Sequence, residues 1–132
     1  MKIEGLAHVG LFVPNAESTA AFYKKYLGFE EIWRVVNHFQ DGDETVIFIQ
    51  NGGLTVEIVQ QVHPQRRQDG WFDHIALAVT DLDSVIEKLR DGGITFEEGS
   101  YTIAPHVFPN GSKWILFRGP NQEHLELTEV LP

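Results

Sequence analysis

The sequence predicts an α+β fold built from two tandem βαβββ modules, and three observations predict it. Two apolar, strand-like runs, AHVGLFV at 7–13 and DHIALAV at 73–79, are each followed by a cap residue, an amphipathic helical stretch and further strand-like runs. Pieces of the first half then recur in the same order in the second. VGLFVPN at 9–15 matches IALAVTD at 75–81, LGFEE at 27–31 matches ITFEE at 94–98, and VIFIQ at 46–50 falls near WILFR at 114–118. Finally, each half carries a His-then-Glu pair of nearly equal span, His8 with Glu57 (57 − 8 = 49) and His74 with Glu126 (126 − 74 = 52).

In the first module a strand at about 6–13 is stopped by Pro14-Asn15, with Asn15 as helix N-cap. A helix at about 16–27 follows, with Ala20, Tyr23 and Leu27 on its apolar stripe and Gly28 where a left-handed C-cap is wanted. Strands near 29–38, 45–51 and 54–62 complete it, the last two joined by a tight turn at Asn51-Gly52-Gly53. The second module repeats the plan: strand 73–79, Asp81 as cap, then helix 82–91 with Leu82, Val85, Ile86 and Leu89 on one face, ending at Gly92-Gly93. Strands near 94–98, 113–118 and 124–129 close it. The chain is expected to be a single domain over 1–132, with module one at about 1–62, a linker at 63–70 carrying Pro64 and Arg66-Arg67, and module two at about 71–132. The irregular stretch from Tyr101 to Gly111 is longer than a hairpin needs, and such loops often cover sites.

Composition bounds the function. A net charge of −9 argues against nucleic-acid partners and anionic membrane surfaces, both of which need a basic face. No apolar run reaches membrane-spanning length and no basic-then-apolar leader is present, so a soluble, cytoplasmic protein is expected. The absence of cysteine excludes disulfides, thiolate metal ligands and a thiol nucleophile, leaving nitrogen and oxygen donors for any metal.

His8, Glu57, His74 and Glu126 are the candidate metal ligands. Side chains alternate along a strand, so Val9, Leu11 and Val13 point away from His8, as Val56 and Ile58 do from Glu57. Ile75 and Leu77 point away from His74, and Leu125 and Leu127 from Glu126. Each polar residue thus sits opposite the greasiest side of its own strand. Taken singly, a His at a strand end or a Glu on a strand is usually solvated; a duplicated quartet favours a metal site. Two imidazoles and two carboxylates suit one divalent ion, Ni²⁺, Zn²⁺, Co²⁺ or Mn²⁺. With two positions left open, such an ion could polarise a bound substrate oxygen and stabilise negative charge that develops there. His124 shares a strand face with Glu126 and is a weaker candidate for the pocket, Lys113 and Arg118 for an anion. His38, His63 and His106 are expected to face solvent, and Trp33, Trp71, Trp114, Phe48, Phe108 and Phe117 to be core or interface aromatics.

At these residues the chain resembles the vicinal oxygen chelate superfamily, and within it glyoxalase I (lactoylglutathione lyase) of the short bacterial type. The resemblance covers essentially the whole chain and rests on His8 in HVGLFV, Glu57 in TVEIV, His74 in DHIALAV, Glu126 in HLELTE, the segment FYKKYLGFE at 22–30 and, more loosely, GPNQEHLEL at 119–127. It implies two βαβββ modules forming a cupped mixed sheet, with one divalent metal held by the quartet and Glu126 and Glu57 as the proton-transfer groups. No organic cofactor is implied. The implied substrate is a small-molecule thiol adduct of a 2-oxoaldehyde, the hemithioacetal of methylglyoxal, converted to a 2-hydroxyacyl thioester. The short relatives commonly form homodimers, and a homodimer is expected here. Glu57 favours the glyoxalase pattern over the dioxygenases and fosfomycin-resistance transferases, which leave that position without a ligand, and over methylmalonyl-CoA epimerase, which has Gln there. Bleomycin-binding resistance members lack the ligands altogether. HVGLFV has no Arg near Phe12, and Gly119-Pro120-Asn121-Gln122 replaces the usual Asp-Pro-x-Gly. The thiol therefore stays open, and an epimerase, a dioxygenase or a drug-binding protein are the alternatives.

Overall fold

The computed structural model describes residues 1–132 except 3, 67 and 71. Arg67 of the basic pair and Trp71 of the aromatic set thus lie outside the described residues. The chain divides into two compact units, Met1–Arg67 and Gln68–Pro132. Each is a four-stranded mixed sheet with one helix.

The first unit runs β1 (Val9–Phe12), α1 (Ala16–Leu27), β2 (Glu30–Phe39), β3 (Gly42–Asn51) and β4 (Leu54–Gln60), with sheet order β1-β4-β3-β2. The first and last strands pair in parallel, and the other pairs are antiparallel. Asn15 caps α1, its side chain accepting from the Ser18 N–H at 2.9 Å, and Gly28 ends it in the left-handed region at φ 68°. The core lies between α1 and one sheet face: Ala16, Ala20 and Tyr23 of the helix are buried, and Ile47, Ile49, Val56 and Ile58 form a register-matched block beneath. Burying a side chain of that size fully contributes about 1.5–3 kcal/mol.

The second unit repeats this with β5 (Ile75–Ala78), α2 (Leu82–Asp91), β6 (Thr102–Ala104), β7 (Ser112–Arg118) and β8 (His124–Val130), in order β5-β8-β7-β6. Leu82, Ile86 and Leu89 of α2 are buried with Ile115, Phe117, Leu125 and Leu127. Asp81 caps α2 from the left-handed region, φ 56°.

The repeat extends to hydrogen bonds. The Ala16 N–H donates to Gln60 Oε1 at 2.8 Å, and the Leu82 N–H donates to Glu129 Oε2 at 2.8 Å. Likewise the Val13 N–H reaches the Val59 carbonyl and the Val79 N–H that of Thr128, both at 2.9 Å. Equivalent positions differ by 66 along the first strand and helix (82 − 16, 79 − 13) and by 69 along the last strand (129 − 60, 128 − 59).

One expectation is corrected. The strand expected at 94–98 is absent: Phe96 makes an isolated antiparallel bridge to Phe117, and β6 instead occupies Thr102–Ala104, inside the stretch expected to be irregular. Alternation at Ile94 and Phe96 has a physical basis other than a strand, since the Phe96 ring packs edge-on against Phe117 at 5.5 Å with Arg90 over its other side. Of the aromatics expected in the core or at an interface, Phe117 is buried, while Trp33 and Phe108 are 68% and 58% exposed in the single chain, which leaves the interface alternative for them. No helix among the described residues is long and apolar enough to cross a membrane.

Candidate functional site

His8 and His74 each stand just before the first strand of their unit, where Gly10 and Ala76 pair with Glu57 and Glu126. A residue two positions upstream of a strand partner shares its face, so the parallel pairing carries each His to the side of its Glu. That is the face opposite the helix. In the first unit His8 Nε2 lies 3.7 Å from Glu57 Oε1, and in the second His74 Nε2 lies 3.3 Å from Glu126 Oε2. The structure thus joins the predicted residues pairwise, one pair in each unit.

The surroundings of the two pairs differ. Beside Glu57 are Gly10, whose missing side chain leaves the carboxylate room, and Phe48, whose ring meets His8 edge-on at 6.0 Å. Glu126 is flanked by Ala76 and Leu116. His74 has a second partner: its Nδ1 lies 3.0 Å from Asp73 Oδ2. An ionised carboxylate only accepts, so Nδ1 carries the hydrogen. This bond holds the Asp73 carboxyl below its usual range, with the nearby His124 assisting. In the neutral imidazole Nε2 then presents a lone pair to the Glu126 carboxylate, placing two acceptors face to face. A cation between them, a proton or a metal ion, satisfies both groups. Cis ligands at about 2.1 Å from a divalent ion stand roughly 3.0–3.4 Å apart, close to the separation found in the second unit.

Four further residues surround Asp73. His124 Nδ1 lies 3.3 Å from Asp73 Oδ2 and its Nε2 lies 2.9 Å from Glu97 Oε1. Both ring nitrogens are shut off from solvent, and neither contact has hydrogen-bond geometry. Arg118 Nη1 donates to Asp69 at 2.7 Å, and its Nε lies 3.3 Å from Glu97. This bond lowers the Asp69 carboxyl and raises the Arg118 guanidinium. Asp69, Asp73 and His124 bring ligand-type atoms within 4.8 Å of one another, but Arg118 already supplies the cation there, so the group is an ion-pair network. The weaker candidates sort accordingly. His124 touches the His74 surroundings, with ring centroids 6.1 Å apart, while Lys113 pairs with Asp83 at 3.0 Å. His38 and His63 pair with Asp43 and Asp41 on the surface, and His106 is exposed. Asp73 and Glu97 escaped sequence reasoning as site residues, although a carboxylate directly before a candidate ligand His was a usable signal. An open groove of about 620 Å³ lined by Asp83, Ile86, Arg90 and Tyr101 lies on the α2 side of the second unit, away from Glu126.

Comparison with known proteins agrees with this architecture. The family model described as "Glyoxalase/Bleomycin resistance protein/Dioxygenase superfamily" matches residues 5–127. The uncharacterized protein YwkD of Bacillus subtilis is 26% identical over 98% of this chain and 99% of its own. A glyoxalase family protein from Enterococcus faecalis superposes with a TM-score of 0.72 at 26% identity, covering 98% of this chain and 100% of that one. The fosfomycin resistance protein FosX from Listeria monocytogenes, solved with Mn(II) and sulfate, shares the fold at a TM-score of 0.72 and 20% identity, over 98% and 95% of the two chains. The chain therefore belongs to the glyoxalase/bleomycin resistance protein/dioxygenase superfamily, known also as the vicinal oxygen chelate superfamily.

Proposed function

We propose that this protein is a metal-dependent, glyoxalase I-like lyase that converts a hemithioacetal of methylglyoxal, or of a similar 2-oxoaldehyde, into a 2-hydroxyacyl thioester. One divalent ion would be held by His8, Glu57, His74 and Glu126. The observation that carries this proposal is the His–Glu pair repeated at one register in both units, with His74 Nε2 and Glu126 Oε2 3.3 Å apart. When bound, such an ion polarises a carbonyl and stabilises negative charge on adjacent oxygens. The chain's own groups do the rest. Glu126 or Glu57 takes the proton from one carbon, and one of them or a water returns it to the neighbour; a well-placed general base contributes roughly 10²- to 10⁴-fold. His8 and His74 fix the carboxylates' neighbours, and Phe48 and Phe12 offer apolar surface on the same face as Glu57.

Assembly as a homodimer belongs to the same proposal. Strand β2 is exposed along its whole length in the single chain, with Ile32, Trp33, Val35, Val36 and Phe39 all open, and a contiguous apolar strand of this kind favours a protein partner. In that dimer His8 and Glu57 come from one chain and His74 and Glu126 from its partner.

Metal analysis of the purified protein followed by product analysis with methylglyoxal and a panel of thiols tests the function. One divalent ion per quartet and a 2-hydroxyacyl thioester from one thiol are expected. Protein that takes up no ion under metal-replete conditions ends the metal centre and favours a drug-binding role. Metal uptake without thioester from any thiol keeps the centre and replaces the lyase with another chemistry of the superfamily, such as epimerisation or dioxygenation.

A further inference from the structure

The internal duplication supplies its own control, because each residue around His74 has a counterpart around His8. With the offset of 66, Asp73 corresponds to Ala7, and with the offset of 69, His124 corresponds to Thr55. Ala7 has nothing to offer an imidazole. The Thr55 hydroxyl instead accepts from Gln50 at 3.0 Å. Among the described residues the carboxylate behind the imidazole is therefore a feature of the second unit only, superimposed on a repeat that otherwise preserves its register and its helix-capping hydrogen bonds.

We propose that Asp73 is a positioning residue for His74: by accepting the Nδ1–H it fixes the tautomer that leaves Nε2 free as a metal donor and aims that nitrogen toward Glu126. Asp73 has further charged groups beside it. His124 stands 3.3 Å from the same Oδ2 atom and is backed at 2.9 Å by Glu97, which Arg118 approaches at 3.3 Å. The contacts run Arg118, Glu97, His124, Asp73, His74, Glu126, all within the second unit. Carboxylates that orient metal-bound imidazoles in this way raise ligand basicity, and their loss typically lowers metal affinity 10- to 100-fold. His8 has no such partner at the position of Ala7. The second-unit pair is thereby the better-organised half of the proposed donor set.

This inference rests on the proposed metal centre, and the test separates the two. Mn²⁺ titrations of the full chain are compared for the unmodified protein, His74→Ala, Asp73→Ala and Asp73→Asn, together with ¹⁵N NMR of the metal-free histidine rings and thermal melting. Asp73 is exposed, so its variants are expected to melt with the unmodified protein. Asp73→Ala should weaken Mn²⁺ binding about 10- to 100-fold and convert His74 from a single Nδ1–H tautomer to a mixture. Asp73→Asn, which keeps an acceptor oxygen, should recover part of both. Unmodified protein that takes up no Mn²⁺, or His74→Ala that binds as well as it does, overturns the metal centre and this inference with it. If those two behave as expected but Asp73→Ala binds Mn²⁺ undiminished, or His74 in the unmodified protein carries its hydrogen on Nε2, the metal centre stands and the role of Asp73 is refuted.

Discussion

Gly10 pairs with Glu57 across the parallel strands, and a Cβ built on it would sit 3.8 Å from Glu57 Oε1 with no other atom nearer than 4 Å. Ala therefore fits at ordinary contact distance. Val does not: a γ-methyl lies about 1.5 Å beyond Cβ, so one aimed at the oxygen closes to about 2.3 Å (3.8 − 1.5), well inside the roughly 3.5 Å of a relaxed contact. Because Val places methyls at two of its three staggered positions, most rotamers crowd the carboxylate. The backbone pulls the other way, since Gly within a strand costs about 0.5–1 kcal/mol relative to Ala and β-branched residues favour strands further. Gly10→Val should melt level with the unmodified protein or a few degrees higher while binding Mn²⁺ at least tenfold more weakly, and Gly10→Ala should change affinity little. Differential scanning calorimetry and Mn²⁺ titration on the same preparations measure both. Undiminished affinity in Gly10→Val would refute the placement of Glu57 as a ligand, and a collapse in melting temperature would refute the claim that the space beside it is open.

Glu126→Gln keeps the shape of the side chain but removes its charge, so it should retain the fold by circular dichroism and lose lyase turnover by orders of magnitude; unchanged turnover removes Glu126 from the mechanism. Refolding His8→Ala and Glu126→Ala together should restore part of the activity if each site takes one pair from each chain, and a strict monomer in sedimentation would end that arrangement. Arg34 hydrogen-bonds Glu17 and Glu31 and thereby lowers both carboxyls from 4.5. Groups with depressed values stabilise the fold fully above that pH and lose the contribution as pH falls through the lowered values. Arg34→Gln should therefore melt below the unmodified protein at pH 7, with the gap closing under acid; a gap that persists at pH 2 would show that Arg34 acts by packing alone.

Much of the architecture could be read in the sequence because the duplication is written in residue types that local physics uses directly. Asn15, Gly28 and Asp81 mark the helix ends, and alternation in HVGLFV and DHIALAV marks which side faces the helix. The same alternation explains why His8, Glu57, His74 and Glu126 could be assigned to one face, and the register bears that out pair by pair. What failed was the segment after α2. Ile94 and Phe96 alternate like a strand, yet their apolarity serves ring packing on Phe117 and a single bridge. Thr102–Ala104, between polar and proline-rich neighbours, is too short to register as a period. Asp73 stands directly before His74 and could have been read, whereas the grouping of Glu97 and His124 with it was hidden, because only the parallel pairing of β5 with β8 brings His124 alongside His74.

The closure of each unit by its first and last strands also bears on how the protein folds. Each His–Glu pair joins the first and last strands of its unit, so it requires closure of a long loop, and contacts of such sequence separation carry a larger entropic cost than local ones. A pair assembled this way is absent from any chain in which the first and last strands have not met. If the proposed ion binds there, it would tie the first and last strands of the unit together and slow their separation, so that metal supply would set how long the chain survives proteolysis in its native form.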